Sequence, residues 1–139
     1  MNQDKIKIVA ELIQQADAVI VGAGSGMSSA AGYNHYHYNE MFKKHFNDFE
    51  QTYGIRNLFQ GFYYVYSKPE QQWEFYSRYI GFMKESPAGQ PYRDLYECLK
   101  GKEYFILTTN CDIQIPKVFP ENKICFEYPH STGNCQNKK

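Results

Sequence analysis

The chain has 139 residues and carries 15 Lys plus Arg against 15 Asp plus Glu, so its formal net charge is zero. That balance removes the electrostatic basis for a nucleic-acid or polyanion binder. Apolar residues make up 42%, ordinary for one globular domain. No apolar run approaches the roughly 20 residues that cross a bilayer. The polar start Met1-Asn2-Gln3-Asp4-Lys5 does not read as a signal peptide. The four cysteines, Cys98, Cys111, Cys125 and Cys135, contain no Cys-x-x-Cys pair. Free thiols in a cytoplasmic protein are therefore expected, with no metal site and no membrane or nucleic-acid partner.

Ile6, Val9, Leu12 and Ile13 recur at helical spacing and predict an amphipathic helix over 3–15. Ala16-Asp17-Ala18-Val19-Ile20-Val21 follows, short and nearly all apolar, the pattern of a parallel strand buried on both faces. It runs into Gly22-Ala23-Gly24-Ser25-Gly26-Met27, a tight turn, with Ser28-Ser29-Ala30-Ala31 as a short helical start. From Tyr33 to Gly101 the periodicity is helical, and most of the 13 Tyr and 10 Phe fall there. Ser67, followed three residues later by Glu70, predicts an N-cap with Pro69 in the first turn. Residues 91–100 read as a further helix closed by Gly101. A second buried strand is predicted at Tyr104-Phe105-Ile106-Leu107-Thr108, and a third over 123–128. Strands alternating with helices imply an α/β parallel sheet, with ligands beyond the carboxyl ends of the strands.

Two segments fall at such ends. The turn Gly22-Ala23-Gly24-Ser25-Gly26 can offer backbone N–H groups to a phosphate. Met27 stands where the dinucleotide fingerprint wants its third glycine, and no Lys-Ser or Lys-Thr follows, so a P-loop is excluded. A tight turn that needs small residues is the alternative. Thr108-Thr109-Asn110-Cys111-Asp112-Ile113-Gln114 groups uncharged polar residues around one carboxylate. It reads either as an Asx-organised loop or as hydrogen-bonding groups for a ribose.

Together, Val19 through Ser28 with Ala31-Gly32, then Phe42-Lys43-Lys44-His45-Phe46-Asn47-Asp48-Phe49, then Thr108 through Gln114, resemble the sirtuin family of NAD-dependent enzymes. The likeness is to its class M, microbial protein ADP-ribosyltransferases often encoded beside macrodomain and lipoyl-carrier proteins. The resemblance runs from about Asp4 to about Tyr128. It implies a Rossmann-like parallel sheet with a helical, aromatic-rich insertion. Residues 1–32 and 102–139 would form an incomplete NAD-binding core, and 33–101 the inserted lobe. Gly22, Ala23, Gly24, Met27, Thr108, Thr109, Asn110 and Asp112 would contact NAD, and Asn110 and Asp112 would be catalytic. The reaction implied is cleavage of the nicotinamide–ribose bond and ADP-ribosyl transfer to a protein acceptor, a lipoyl carrier in class M. Such a site orients the ribose and its nucleophile without a metal.

Three features depart from that pattern. Met41 stands where an Arg is expected, removing a fixed cation near the cofactor. The segment Tyr128-Pro129-His130-Ser131-Thr132-Gly133 has neither the His-Gly of sirtuins nor the Gln-Gly of class M, and His130 is only a weak substitute. Cys135 alone supplies no paired zinc module, and the lost pattern from Pro129 is expected to mark a truncated or frame-shifted end. The alternative function is therefore a catalytically inactive NAD or ADP-ribose binding fragment, a sensor or interaction module. His35 and His37 are expected in a solvated loop near the cofactor mouth. Tyr63, Tyr64, Tyr66, Trp73, Tyr76 and Tyr79 either line a substrate cleft or form a core with their hydroxyls at the surface.

Overall fold

The computed structural model describes residues 3–120 and 123–126. Among the described residues, six α-helices, three strands and one 3-10 turn follow one another: α1 (Gln3–Gln15), β1 (Ala18–Ala23), α2 (Ser25–Ala30), α3 (Glu40–Tyr53), α4 (Leu58–Tyr63), α5 (Pro69–Glu85), α6 (Gln90–Leu99), β2 (Glu103–Thr108), the 3-10 turn (Ile115–Lys117) and β3 (Ile124–Phe126). The chain is thus a mixed α/β structure with a parallel sheet in the order β1-β2-β3. Ile20 pairs with Phe105 and Ala23 with Thr108, which brings the carboxyl ends of β1 and β2 level. Residues 127 and 128 of the predicted third strand lie outside the described residues, as do His130 and Cys135.

Side chains gather in two buried clusters. In the first, Phe42, Phe46 and Phe49 of α3 meet Leu58 of α4 and Phe75, Tyr79 and Met83 of α5. Phe49 meets Phe75 edge-on with ring centroids 5.1 Å apart, a favoured aromatic geometry. Asn39 caps α3 by accepting from the Phe42 N–H over 2.9 Å, and Asn57 caps α4 at Gln60 over 2.8 Å. The phenylalanines form this core. Of the six aromatics singled out by sequence, Tyr79 is buried, Tyr66 and Tyr76 are half-buried, and Tyr63, Tyr64 and Trp73 are exposed. Tyr63, Tyr64 and Val65 help to line a shallow hollow of about 420 Å³. In the second cluster, Tyr92 and Leu99 of α6 pack with Ile106 of β2, Ile115 and Phe119.

Two sequence expectations are corrected here. Among the described residues, the strands are covered on one face only. Val19, Val21, Ile106 and Thr108 face the second cluster, while Ile20 on the other face is 79% exposed and Phe105 and Leu107 are also open. Apolar composition records what a side chain prefers, and no described element covers that outer face. The N-cap of α5 is Lys68 rather than Ser67. Gln71, not Glu70, closes the turn, because its Oε1 accepts from both the Lys68 N–H and the Ser67 hydroxyl. Elsewhere the shifts are small. β1 extends through Gly22 and Ala23, and α2 begins at Ser25 instead of Ser28. Gly101 takes the left-handed conformation, φ 79°, just beyond α6.

Candidate functional site

The turn after β1 and the loop after β2 meet because their strands are paired in register. Thr108 Oγ1 donates to the Ala23 carbonyl over 3.0 Å and accepts from the Asn110 N–H over 3.0 Å. Asn110 Nδ2 donates to the Gly24 carbonyl over 2.9 Å. These bonds fix the two segments against each other. The outer side of the turn is open: a Cβ placed on Gly22, Gly24 or Gly26 would meet nothing within 4 Å. Backbone approach by a ligand from that side is therefore unhindered.

Behind this surface lies a buried polar cluster centred on Asp112, which is 1% exposed. Its Oδ2 accepts from Ser28 Oγ over 2.6 Å and from the Tyr92 hydroxyl over 2.5 Å. Its Oδ1 accepts from the Gln114 N–H over 3.2 Å. Gln114 in turn bonds the Asp112 carbonyl and the Gly89 N–H. Such charge-assisted bonds satisfy a buried carboxylate. Burial first, and then the Asp112 carboxylate, hold the Tyr92 phenol well above its ordinary pKa, so it stays a donor. No buried side-chain polar atom among the described residues lacks a hydrogen-bond partner.

Ile113 is the single non-glycine residue with positive φ, 57°, among the described residues. A β-branched residue resists that conformation by about 1–2 kcal/mol. The twist separates two neighbours: Asp112 reaches Ser28 and Tyr92, while Ile113 packs on the helical cluster. The helical cluster reaches the loop a second time. His35 Nε2 lies 2.8 Å from the Tyr79 hydroxyl, which donates to the Cys111 carbonyl over 3.4 Å. Burial pushes the His35 imidazole below its ordinary pKa, against the opposing pull of Asp112. His35 is thus packed between Tyr79 and Phe62, whereas His37 is in an exposed turn closed by Asn34 Oδ1.

The residues singled out by sequence divide by position. Gly22, Gly24 and Thr109 are exposed, and Ala23 and Met27 are half-buried with their side chains on the sheet cluster. Thr108, Asn110 and Asp112 are buried. The grouping of Gln114 with Asp112 follows the sequence reading, whereas sequence reasoning missed Ser28 and Tyr92 as members of the constellation, together with the path through His35 and Tyr79. Among the described residues, no group of three His, Cys, Asp or Glu side chains could hold a metal ion. Cys98 and Cys111 are exposed free thiols.

No protein-family model matches the chain. Two curated relatives do. A protein ADP-ribosyltransferase of Staphylococcus aureus strain Mu50 is 34% identical over 107 residues, covering 76% of this chain and 33% of the relative. A probable bifunctional ADP-ribose hydrolase/ADP-ribosyltransferase of Fusarium oxysporum f. sp. cubense is 27% identical over 113 residues, covering 79% of this chain and 19% of the relative. The chain spans about a third of the first relative and about a fifth of the second. Over most of its own length, the chain is similar to proteins named ADP-ribosyltransferase, which supports an ADP-ribosyltransferase-like family.

Proposed function

We propose that the chain carries the nucleotide-binding site of a sirtuin-type, NAD-dependent protein ADP-ribosyltransferase. The observation that carries this reading is the bond from Asn110 Nδ2 to the Gly24 carbonyl. It joins an open glycine turn and an uncharged polar loop at the carboxyl ends of adjacent parallel strands, where α/β sheets bind ligands. The similarity to proteins named ADP-ribosyltransferase supports the reading independently. The three parallel strands with α2 and α6 would then belong to a Rossmann-like core of residues 1–32 and 102–139, with 33–101 as a helical lobe.

The donor set suits NAD. Exposed backbone at Gly22, Gly24 and Gly26 leaves room for a pyrophosphate, and Thr109 and Asn110 offer neutral hydrogen-bonding groups for a ribose. Ala23 and Met27 would contribute backbone, since their side chains pack on the sheet cluster. NAD supplies an ADP-ribosyl group whose nicotinamide is the leaving group. Asn110, braced at Gly24 and Thr108, orients the ribose. Asp112 acts as a positioning residue: through Ser28 it fixes the turn, and through Tyr92 it fixes α6. Thr108 braces the same turn at Ala23. The acceptor would be a protein, a lipoyl-carrier domain, in the cytosol, where the exposed Cys98 and Cys111 stay reduced.

One observation favours a second reading, an NAD or ADP-ribose binding module without turnover. Asp112 is 1% exposed, and its carboxylate accepts from Ser28, Tyr92 and the Gln114 N–H, so it is turned to the protein interior rather than to the open side of the turn. Nicotinamide release separates the two. The transferase reading expects release, with a lipoyl-carrier domain gaining one ADP-ribosyl group by mass. The module reading expects binding with neither product.

A further inference from the structure

The helical cluster grips the site loop at two points. Ile113 packs on the cluster, and the Tyr79 hydroxyl of α5 reaches the Cys111 carbonyl over 3.4 Å. That carbonyl belongs to the peptide joining Cys111 to Asp112. It lies between Asn110, bonded to Gly24, and the Asp112 carboxylate, bonded to Ser28 and Tyr92. The same Tyr79 hydroxyl is 2.8 Å from His35 Nε2. Tyr79 is 3% exposed, so its hydroxyl meets protein groups rather than bulk water. A hydroxyl has one hydrogen to place. Where Nε2 is bare, the hydrogen goes to the ring, the shorter contact, since 3.4 Å is long for an O–H···O bond. Where Nε2 carries a proton, the ring is the donor and the Tyr79 hydrogen turns to the Cys111 carbonyl. Donation from the ring polarises the O–H and strengthens that second bond.

We propose that His35 and Tyr79 form a proton-sensitive latch on the site loop: a proton on His35 Nε2 turns the Tyr79 hydroxyl to the Cys111 carbonyl and holds the loop beside Asn110. This deepens, and rests on, the reading of that loop as part of a nucleotide site. The surroundings of His35 suit a ring that changes state in place. Its backbone carbonyl accepts from the Phe59 N–H over 2.9 Å, which anchors it to α4. The Phe62 ring of α4 stacks on the imidazole, and Tyr79 of α5 meets it edge-on. On its own segment, the Tyr33 backbone offers a hydrogen bond that favours the protonated ring. Among the described residues, the charged group facing it is Asp112 of the loop. Burial disfavours the imidazolium and outweighs the attraction of Asp112, so the ring titrates below about pH 6.5.

NMR of the full chain between about pH 7.5 and 5 tests this, following the His35 ring and the Asp112 N–H, which shares its peptide with the Cys111 carbonyl. In the wild type the Asp112 N–H is expected to shift with the His35 midpoint. Tyr79→Phe keeps the packed ring and removes only the hydroxyl. It is expected to abolish that shift while His35 still titrates. His35→Gln, the second variant, is expected to leave the Asp112 N–H without that midpoint. A hydroxyl with a merely structural role would offset the Asp112 signal equally at every pH. By linkage, a ligand that prefers the held loop raises the His35 midpoint. Saturating NAD is therefore expected to raise it in the wild type and not in Tyr79→Phe. An Asp112 N–H that ignores His35, or follows it equally in Tyr79→Phe, would overturn the latch. So would a His35 ring that keeps one state across the range, or NAD that binds without moving the midpoint. NAD that does not bind would overturn the nucleotide reading alone, because the comparison of wild type with Tyr79→Phe needs no ligand.

Discussion

Ser28 and Asp112 are 84 positions apart in the chain, yet their side chains are joined by a hydrogen bond of 2.6 Å. The bond staples the helix after β1 to the loop after β2, and Tyr92 adds α6 to the same carboxylate. Asp112→Ala removes the acceptor for Ser28, Tyr92 and the Gln114 N–H together. It should destabilise the chain by about 3–5 kcal/mol. Tyr92→Phe, which deletes one bond to the carboxylate, should cost about 2 kcal/mol. Urea unfolding measures both; a cost under about 1 kcal/mol for Asp112→Ala would show that the network is not what holds these elements together.

Two glycines are set by close approach. A Cβ on Gly61 would lie 2.0 Å from Phe75 Cζ, and one on Gly89 would lie 2.3 Å from the Ala31 Cβ. Gly61→Ala should push the Phe75 ring out of its packing and lower stability by about 1–3 kcal/mol. Gly89→Ala should act in the same direction at the contact with Ala31. Thermal melts of the two variants beside the wild type decide this, and unchanged midpoints would refute the packing described for Gly61 and Gly89.

Gly24→Val and Asn110→Ala are aimed at binding and chemistry instead. A Cβ at Gly24 meets nothing within 4 Å in the folded chain, and Gly24 has an extended φ of −127° that Val accepts. NAD affinity should therefore fall at least ten-fold with the melt unchanged, because the side chain would stand in the path of the pyrophosphate. Asn110→Ala loses its bond to Gly24, about 1 kcal/mol of stability, and should abolish nicotinamide release. Wild-type affinity in the first variant, or wild-type release in the second, would remove the site from these residues.

His35 links stability to pH. Burial lowers its folded-state pKa, so the folded chain prefers the neutral ring. The unfolded chain binds the proton near pH 6.5, and below that value it binds more protons than the folded chain. The His35 contribution to stability is thus complete above about pH 6.5 and lost progressively as pH falls below it. His45 is shifted in the same direction by burial and then by Lys44. The melting temperature should fall between pH 7 and pH 5.5, and His35→Gln should reduce that fall without removing it. An identical fall in the variant would contradict the packing described for His35.

The strands were legible because Val19-Ile20-Val21 and Phe105-Ile106-Leu107 are unbroken apolar runs between turn signals. Their single-sided cover was not, since Ile20 has the same composition whether or not a helix lies on it. The turn and the loop were legible for a related reason: glycines and an Asn-x-Asp directly after strands leave few other conformations. Ser28 and Tyr92 carried no such signal. They meet Asp112 across 84 and 20 positions, through tertiary packing that no local pattern encodes. The αL twist at Ile113 was equally hidden, because a β-branched residue argues against it. The cap of α5 missed by one residue because the Gln71 amide serves both Ser67 and Lys68.

The most direct test of the central claim is a calorimetric titration of the full chain with NAD, with nicotinamide release followed in the same samples. Saturable binding with release, both lost when Gly24 and Asn110 are substituted, is the predicted result. No binding at millimolar NAD would contradict the account, since the turn and loop joined at Gly24 and Asn110 would then not form a nucleotide site.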